Sequence, residues 1–222
     1  MNGILYIIST PIGNLGDITL RAVATLKEVS CVFCEDTRVT KNLLNHFDIK
    51  TPTKSFHQHS DRSKYNEILE ILQKGDSVAL VSDAGTPGIS DPGSELIAYI
   101  QKANKDINIV PVPGVSAVVT ALSVSGFPVD KFVFMGFPPN KNKRKKYFTE
   151  VANNKYATAF YESNHRIEKA IKELVEVLPE DTEVFIAREL TKKFESFYKG
   201  KIKDIKDIVV PNKGEFVVII KK

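Results

Sequence analysis

The chain has 222 residues, 42% of them hydrophobic and 26% charged, the balance of an ordinary globular protein with room for one large domain or two small ones. A net charge of +4 is too weak by itself to imply a nucleic-acid partner, and no apolar run reaches the roughly 18 residues a membrane helix needs. The opening MNGILYIISTPIG lacks a basic lead-in and a small-residue cleavage site, so a cytoplasmic location is expected.

ILYIIS (4–9) predicts a first strand, and Asp17 is placed to cap a helix through ITLRAVATLKEV (18–29). CVFCE (31–35) reads as a second strand ahead of a helical TRVTKNLLNHF, and TKSF (53–56) as a short third. Asp61 caps the next helix, where Tyr65, Ile68, Leu69 and Leu72 recur at helical spacing and Gly75 makes the stop. SVALVS (77–82) is almost wholly apolar, as in a strand covered on both faces of a parallel sheet. A helix from Ser94 and a strand at INIVPV (107–112) follow. Successive βαβ units predict an α/β N-terminal domain, 1–112, with a mainly parallel sheet flanked by helices.

PVPG (111–114) interrupts this pattern and marks a second α/β domain, 113–222. Its elements are a helix at VSAVVTALSVSG, strands near KFVFMG (131–136) and YATAFYE (156–162), and a helix from Asn164. That helix carries an apolar stripe of Ile167, Ala170, Ile171, Leu174 and Leu178. EVFIAR (183–188), ESFYKG (195–200) and GEFVVIIK (214–221) are strands so closely spaced that antiparallel pairing, and therefore a mixed sheet, is expected.

Cys31 and Cys34 form a CxxC on a strand, where residues three apart face opposite ways, so two buried thiols are expected rather than a metal pair. His57 and His59 would share a strand face, but no acidic or thiol partner stands at ligand spacing, and no metal is expected. His165, at a helix start, reads as structural.

Three small-residue loops follow strands: TPIGNLGD (10–17), DAGTPGISDPG (83–93) and PGVSA (113–117). Loops at the carboxyl ends of an open α/β sheet form its ligand crevice. Glycine there lets backbone approach a ligand, and proline keeps the loop open. There is no GxxxxGK[ST] and no GxGxxG, so the common nucleotide fingerprints are missing. Aspartates and carbonyls in place of lysines suit a ligand with a cationic centre, such as a sulfonium. Two charged clusters sit beyond strand ends: Glu35, Asp36 and Arg38, then Arg188, Glu189, Lys192 and Glu195. They read equally as catalytic or RNA-holding groups and as internal ion pairs. NKNKRKK (140–146) is either a solvated loop or a phosphate-contacting patch.

Taken together, TPIGNLGDITLRA, EDTR, LVSDAGTPGISDPG, PGVSA, GFPPNK, YES-HR, ARELTK and KGEFVVII resemble the bacterial small-subunit ribosomal RNA 2′-O-ribose methyltransferase I family, of the tetrapyrrole-methylase-like superfamily. The resemblance runs nearly end to end. Asn164 stands where that family usually has proline, and HQHS replaces a more usual histidine-asparagine-glutamate.

The resemblance implies a homodimer of two-domain chains, with S-adenosylmethionine in the cleft between the domains. By motif position the donor contacts are Pro11, Ile12, Gly85, Thr86, Ile89, Ser116 and Ala117, joined by Tyr161 and Ala187. It implies 2′-O-methylation of a cytidine ribose in the decoding (P-site) region of 16S rRNA, within the 30S subunit. Glu35, Asp36, Glu162 and Glu189 are then the candidate bases. Arg38, Lys141, Lys143, Arg144, Lys145, Lys146, Arg188 and Lys192 are the candidate RNA contacts. The alternatives are a superfamily methyltransferase acting on a tetrapyrrole or a protein, or a non-catalytic ribosome-assembly binding protein.

Overall fold

The computed structural model describes residues 1–58, 60–205, 211 and 213–222. They form two compact units, Met1–Ser116 and Ala117–Lys222.

The first unit runs β1 (Ile4–Ile8), α1 (Leu20–Glu28), β2 (Cys31–Cys34), α2 (Thr37–His46), β3 (Thr53–Ser55), α3 (Arg62–Gln73), β4 (Val78–Val81), α4 (Ser94–Ala103) and β5 (Asn108–Val112). The sheet order is β3-β2-β4-β1-β5, and every pair is parallel. Alternation sends Leu5, Cys31, Phe33, Val78 and Leu80 to one face, under Ile68 and Leu72 of α3 and Leu96 and Ile100 of α4. Ile8, Val32, Cys34, Ala79 and Val81 go to the other, under Ala22 and Leu26 of α1 and Leu44 of α2. A sheet covered on both sides needs the unbroken apolar strands seen in VALV and CVFC. The two cysteines are buried, free, and in opposite layers, as their spacing requires.

Local chemistry sets the boundaries. Asp61 accepts hydrogen bonds from the N–H groups of Ser63 and Lys64 and starts α3, and Gly75 follows its end at φ +96°. Asp17 does not cap α1. Asn14 accepts from the Gly16 N–H and closes a 3-10 turn over Leu15–Asp17, so the helix starts later, where Thr19 Oγ1 accepts from the Ala22 N–H. β3 stops at Ser55, before His57, and His59 lies outside the described residues.

The second unit contains α5 (Ala117–Ser125), β6 (Phe132–Phe134), α6 (Arg144–Asn153), β7 (Ala157–Ser163), α7 (Ile167–Val177), β8 (Glu183–Arg188), β9 (Ser196–Lys201), α8 (Ile202–Ile205) and β10 (Glu215–Ile220). Its order is β6-β7-β10-β8-β9, with β6 and β7 parallel and the remaining pairs antiparallel, so the sheet is mixed. Ile167, Ala170, Ile171, Leu174 and Leu178 are all buried against this sheet, each aliphatic side chain of Leu or Ile size worth about 1.5–3 kcal/mol. α7 begins at Ile167 rather than Asn164, because Arg166 N–H bonds to the Ser163 carbonyl in a preceding turn. Among the described residues no helix is long and apolar enough to cross a membrane.

Candidate functional site

In the first unit β1 lies between β4 and β5, so the turns leaving all three strands meet at one edge. The Thr10 N–H donates to the Gly85 carbonyl at 2.9 Å and the Gly85 N–H returns a bond to Thr10 at 3.1 Å. Thr10 Oγ1 donates to the Ser82 carbonyl at 3.0 Å, and the Ser9 and Thr86 hydroxyls are 2.8 Å apart. On the other flank the Ser9 N–H donates to the Val112 carbonyl at 3.1 Å.

Glycine is required at two points here. Gly85 sits at φ +83°, a conformation a side chain rarely tolerates. A Cβ on Gly114 would fall 2.9 Å from the Ser9 Cβ, closer than two carbons can pack. Around these glycines Pro11 and Ile12 are buried, Thr86 and Ser116 are half-buried, and Ile89 is 53% exposed. Ala117 opens α5, directly after the third turn. The result is a firm cradle whose walls are mostly backbone.

Its electrostatics are acidic. Burial, then the charge of Glu35, then that of Asp83 push the Asp91 carboxyl up to about 6, against a partial offset from the Ser82 hydroxyl. Burial and Asp83 likewise raise Glu35. Asp83 Oδ1 accepts the Asp36 N–H at 3.0 Å, which ties the end of β2 to the loop after β4. Negative charge gathered in this way favours a cation. A bare cradle under negative potential fits a sulfonium compound and opposes a polyphosphate. Asp83 and Asp91 lie in the glycine-proline loop, but the effect of Glu35 on Asp91 depends on strand order.

The Glu35–Asp36–Arg38 cluster is partly tied up. The Arg38 guanidinium and N–H groups hold the Asp36 carboxyl down to about 2, with a 2.6 Å ion pair, and Asp36 caps α2. Arg38 remains exposed. Glu35 is exposed, and burial and Asp83 raise its carboxyl against a smaller opposing effect of His57; it is the one candidate base of the four whose proton affinity rises in an accessible position.

The second unit changes the reading of two residues. Arg144, expected to face RNA, is 4% exposed. Its guanidinium grips Glu173 at 2.6 Å, donates to the Pro139 carbonyl at 3.0 Å, and lies 3.6 Å from Glu162. It therefore belongs to the interior and not to the basic surface. Glu162, expected as a base, is 1% exposed and held by Arg166 at 2.8 Å and by the Ser163 N–H at 2.8 Å. Burial raises its pKa, and the Ser163 N–H and the two arginines oppose that rise. An enclosed carboxylate with these partners is a structural anchor.

The second charged cluster is likewise internally engaged. Burial works against ionisation of Glu189, yet Lys192 at 3.0 Å and the Glu215 N–H hold its carboxyl below the usual range. Lys192 also bonds Glu215 at 2.7 Å. Arg188 donates to the carbonyls of Lys213 and Phe194. Ala187 is fully buried, and Tyr161 packs edge-on against Phe134 and Phe137. Lys141, Lys143, Lys145 and Lys146 are exposed and, among the described residues, form no ion pair. Among the described residues no group of three or more His, Cys, Asp or Glu side chains is arranged to hold a metal.

Residues 4–206 match the family model described as Tetrapyrrole (Corrin/Porphyrin) Methylases. The same fold appears in the solved cobalt precorrin-4 methyltransferase CbiF, at TM-score 0.69 and 20% identity over 98% of this chain and 94% of that one. It also appears in the methyltransferase CobJ, at TM-score 0.71 and 18% identity over 99% and 94%. The chain belongs to the tetrapyrrole methylase family and is a methyltransferase, with S-adenosylmethionine as its methyl donor.

Closer relatives narrow the branch. The ribosomal RNA small subunit methyltransferase I of Synechocystis is 45% identical over 98% of this chain and 78% of that protein. The protein of the same name from Mycoplasmopsis pulmonis is 45% identical over 97% and 96%, and that of Bacillus subtilis 42% identical over 98% and 75%. Within the family, the chain belongs to the small-subunit methyltransferase I branch.

Proposed function

We propose that this protein methylates the 2′-oxygen of a cytidine ribose in the P-site region of 16S rRNA, acting on the 30S subunit as a homodimer in the cytoplasm. The acceptor class follows from the names of the relatives, which are ribosomal RNA small subunit methyltransferases. The observation that carries the site assignment is the junction of the three glycine-bearing turns at Ser9, Thr86 and Gly114.

When bound, S-adenosylmethionine supplies a methyl group on a positively charged sulfur. Pro11, Ile12, Gly85, Thr86, Ile89, Ser116 and Ala117 are the residues we assign to hold it. The acidic field of Glu35, Asp83 and Asp91 favours its charge. Preset turns matter because alignment of reacting groups can supply roughly 7–11 kcal/mol of a barrier. A ribose hydroxyl is a poor nucleophile until its proton is drawn away. Of the four carboxylates considered, Glu35 is the best suited to accept that proton, since Asp36 and Glu189 are held ionised by cations and Glu162 is enclosed. Lys141, Lys143, Lys145 and Lys146, with Arg38, are assigned to the RNA phosphates. Lys192 and Arg188 already have internal partners.

The test is transfer of labelled methyl to 30S particles that lack the modification, followed by alkaline digestion. A 2′-O-methyl removes the hydroxyl that attacks the adjoining phosphate, so the label should emerge in an alkali-resistant dinucleotide beginning with cytidine. Label in mononucleotides would mean base methylation. Label only in a tetrapyrrole or protein acceptor would replace the proposal.

A further inference from the structure

The segment between β6 and α6 is unusually well braced for a loop. Backbone pairing with β7 continues past β6, through the Met135 N–H to the Ala159 carbonyl and the Tyr161 N–H to the Gly136 carbonyl, both at 2.9 Å. Gly136 then turns the chain at φ +62°. Two arginines from different helix starts fasten residues 138–140: Arg166 donates to the Pro138 carbonyl at 3.1 Å and to Asn140, and Arg144 donates to the Pro139 carbonyl at 3.0 Å. Arg166 pairs with Glu162 at 2.8 Å, and Arg144 pairs with Glu173 at 2.6 Å and lies 3.6 Å from Glu162.

On this braced segment stands Phe137, a phenyl ring 48% exposed. Its mount is aromatic. Phe137 meets Tyr161 edge-on at 5.4 Å and 63°, and Tyr161 meets Phe134 at 4.7 Å and 62°. Just beyond lie four exposed lysines without ionic partners among the described residues. Lys145 and Lys146 occupy the first turn of α6, which has no acidic residue to balance them. Cations there oppose the helix dipole, so the lysines do nothing for the helix. A braced, half-exposed ring followed closely along the chain by four exposed lysines has the two elements that unpaired nucleic acid requires: a surface on which a base stacks and charges that track the phosphates.

We propose that Phe137, with Lys141, Lys143, Lys145 and Lys146, forms a platform for an unpaired stretch of RNA, the phenyl ring stacking on one base. This rests on the reading of the protein as an RNA methyltransferase and adds the residue that engages a base.

The chain has no tryptophan, so Phe137→Trp introduces a sole indole at the proposed stacking position. Two probes are used in parallel, an oligocytidylate and 30S particles lacking the modification. Binding of either is expected to quench the indole, while an indole placed by Tyr156→Trp stays unchanged. Phe137→Leu is expected to weaken RNA binding by roughly five- to hundredfold with an unaltered salt slope. Replacing the four lysines with alanine should instead flatten that slope by about 0.7 per lysine. Calorimetric S-adenosylmethionine affinity should hold in every variant.

Quenching with either probe, together with the Phe137→Leu loss, supports the platform. If the wild type binds RNA or methylates the particles while the Phe137→Trp emission stays constant with both probes and Phe137→Leu binds normally, the platform is wrong and the RNA reading stands. If the wild type neither binds nor methylates either probe, both fall.

Discussion

The hydroxyls of Ser9 and Thr86 lie 2.8 Å apart across 77 positions of sequence. That bond joins the turn after β1 to the turn after β4, and its neighbour Gly114 brings in the turn after β5. Thr86→Val keeps the shape and removes the hydroxyl. It is expected to cost about 1 kcal/mol of stability and to weaken S-adenosylmethionine binding measurably by calorimetry. Unchanged donor affinity would show that the two turns need no tie.

The two glycines of the cradle should fail differently. Gly114→Ala must push Ser9 aside, so donor affinity should drop with the melting temperature. Gly85→Ala has room for its methyl, the nearest atom being Ile12 Cγ2 at 3.7 Å, and pays only for φ +83°. About 1–2 kcal/mol of destabilisation is expected there, read by denaturant titration.

Asp91 gives a pH signature. Its folded pKa of about 6 lies above the ordinary carboxylate value, so its ionised form costs stability. That cost is absent below about pH 4, grows as pH rises through about 6, and is complete above it. Asp91→Asn should therefore melt higher than the wild type at about pH 8 and match it near pH 4, while binding the cationic donor more weakly. A variant less stable at the higher pH would contradict the acidic-cluster account.

Arg144 should separate from the lysines around it. Arg144→Ala leaves Glu162 in the interior without one of its cations, which is expected to cost about 3–5 kcal/mol. Arg144→Lys should restore little of this, because one ammonium cannot serve Glu173 and the Pro139 carbonyl with the same fork. Alanine at Lys141, Lys143, Lys145 and Lys146 should each move stability by less than about 0.5 kcal/mol. Thermal melts of the two sets decide it.

Much of the scaffold could be read from local pattern. VALV and CVFC announce a doubly covered parallel sheet, and the spacing of Ile167, Ala170, Ile171 and Leu174 predicts a buried helix face, because periodicity reports burial directly. The glycines and prolines of 82–93 announce a bare loop for similar reasons. What stayed hidden depends on distant partners. Arg144 is the one arginine in NKNKRKK, but its burial is set by Glu173, 29 residues on, and by Glu162, which the run does not show. Asp91 looks ordinary until strand order brings Glu35 and Asp83 beside it. Asp17 lost its expected role because Asn14 draws it into a 3-10 turn and Thr19 caps the helix instead, a choice among nearby capping side chains that composition does not resolve.

Nuclear magnetic resonance titration of labelled protein with S-adenosylmethionine asks most directly whether the three turns hold the donor. Backbone amide signals of Thr10, Ile12, Gly85, Thr86, Gly114 and Ser116 are expected to move together and saturate at one affinity. Shifts that leave those amides untouched and gather elsewhere would contradict the account.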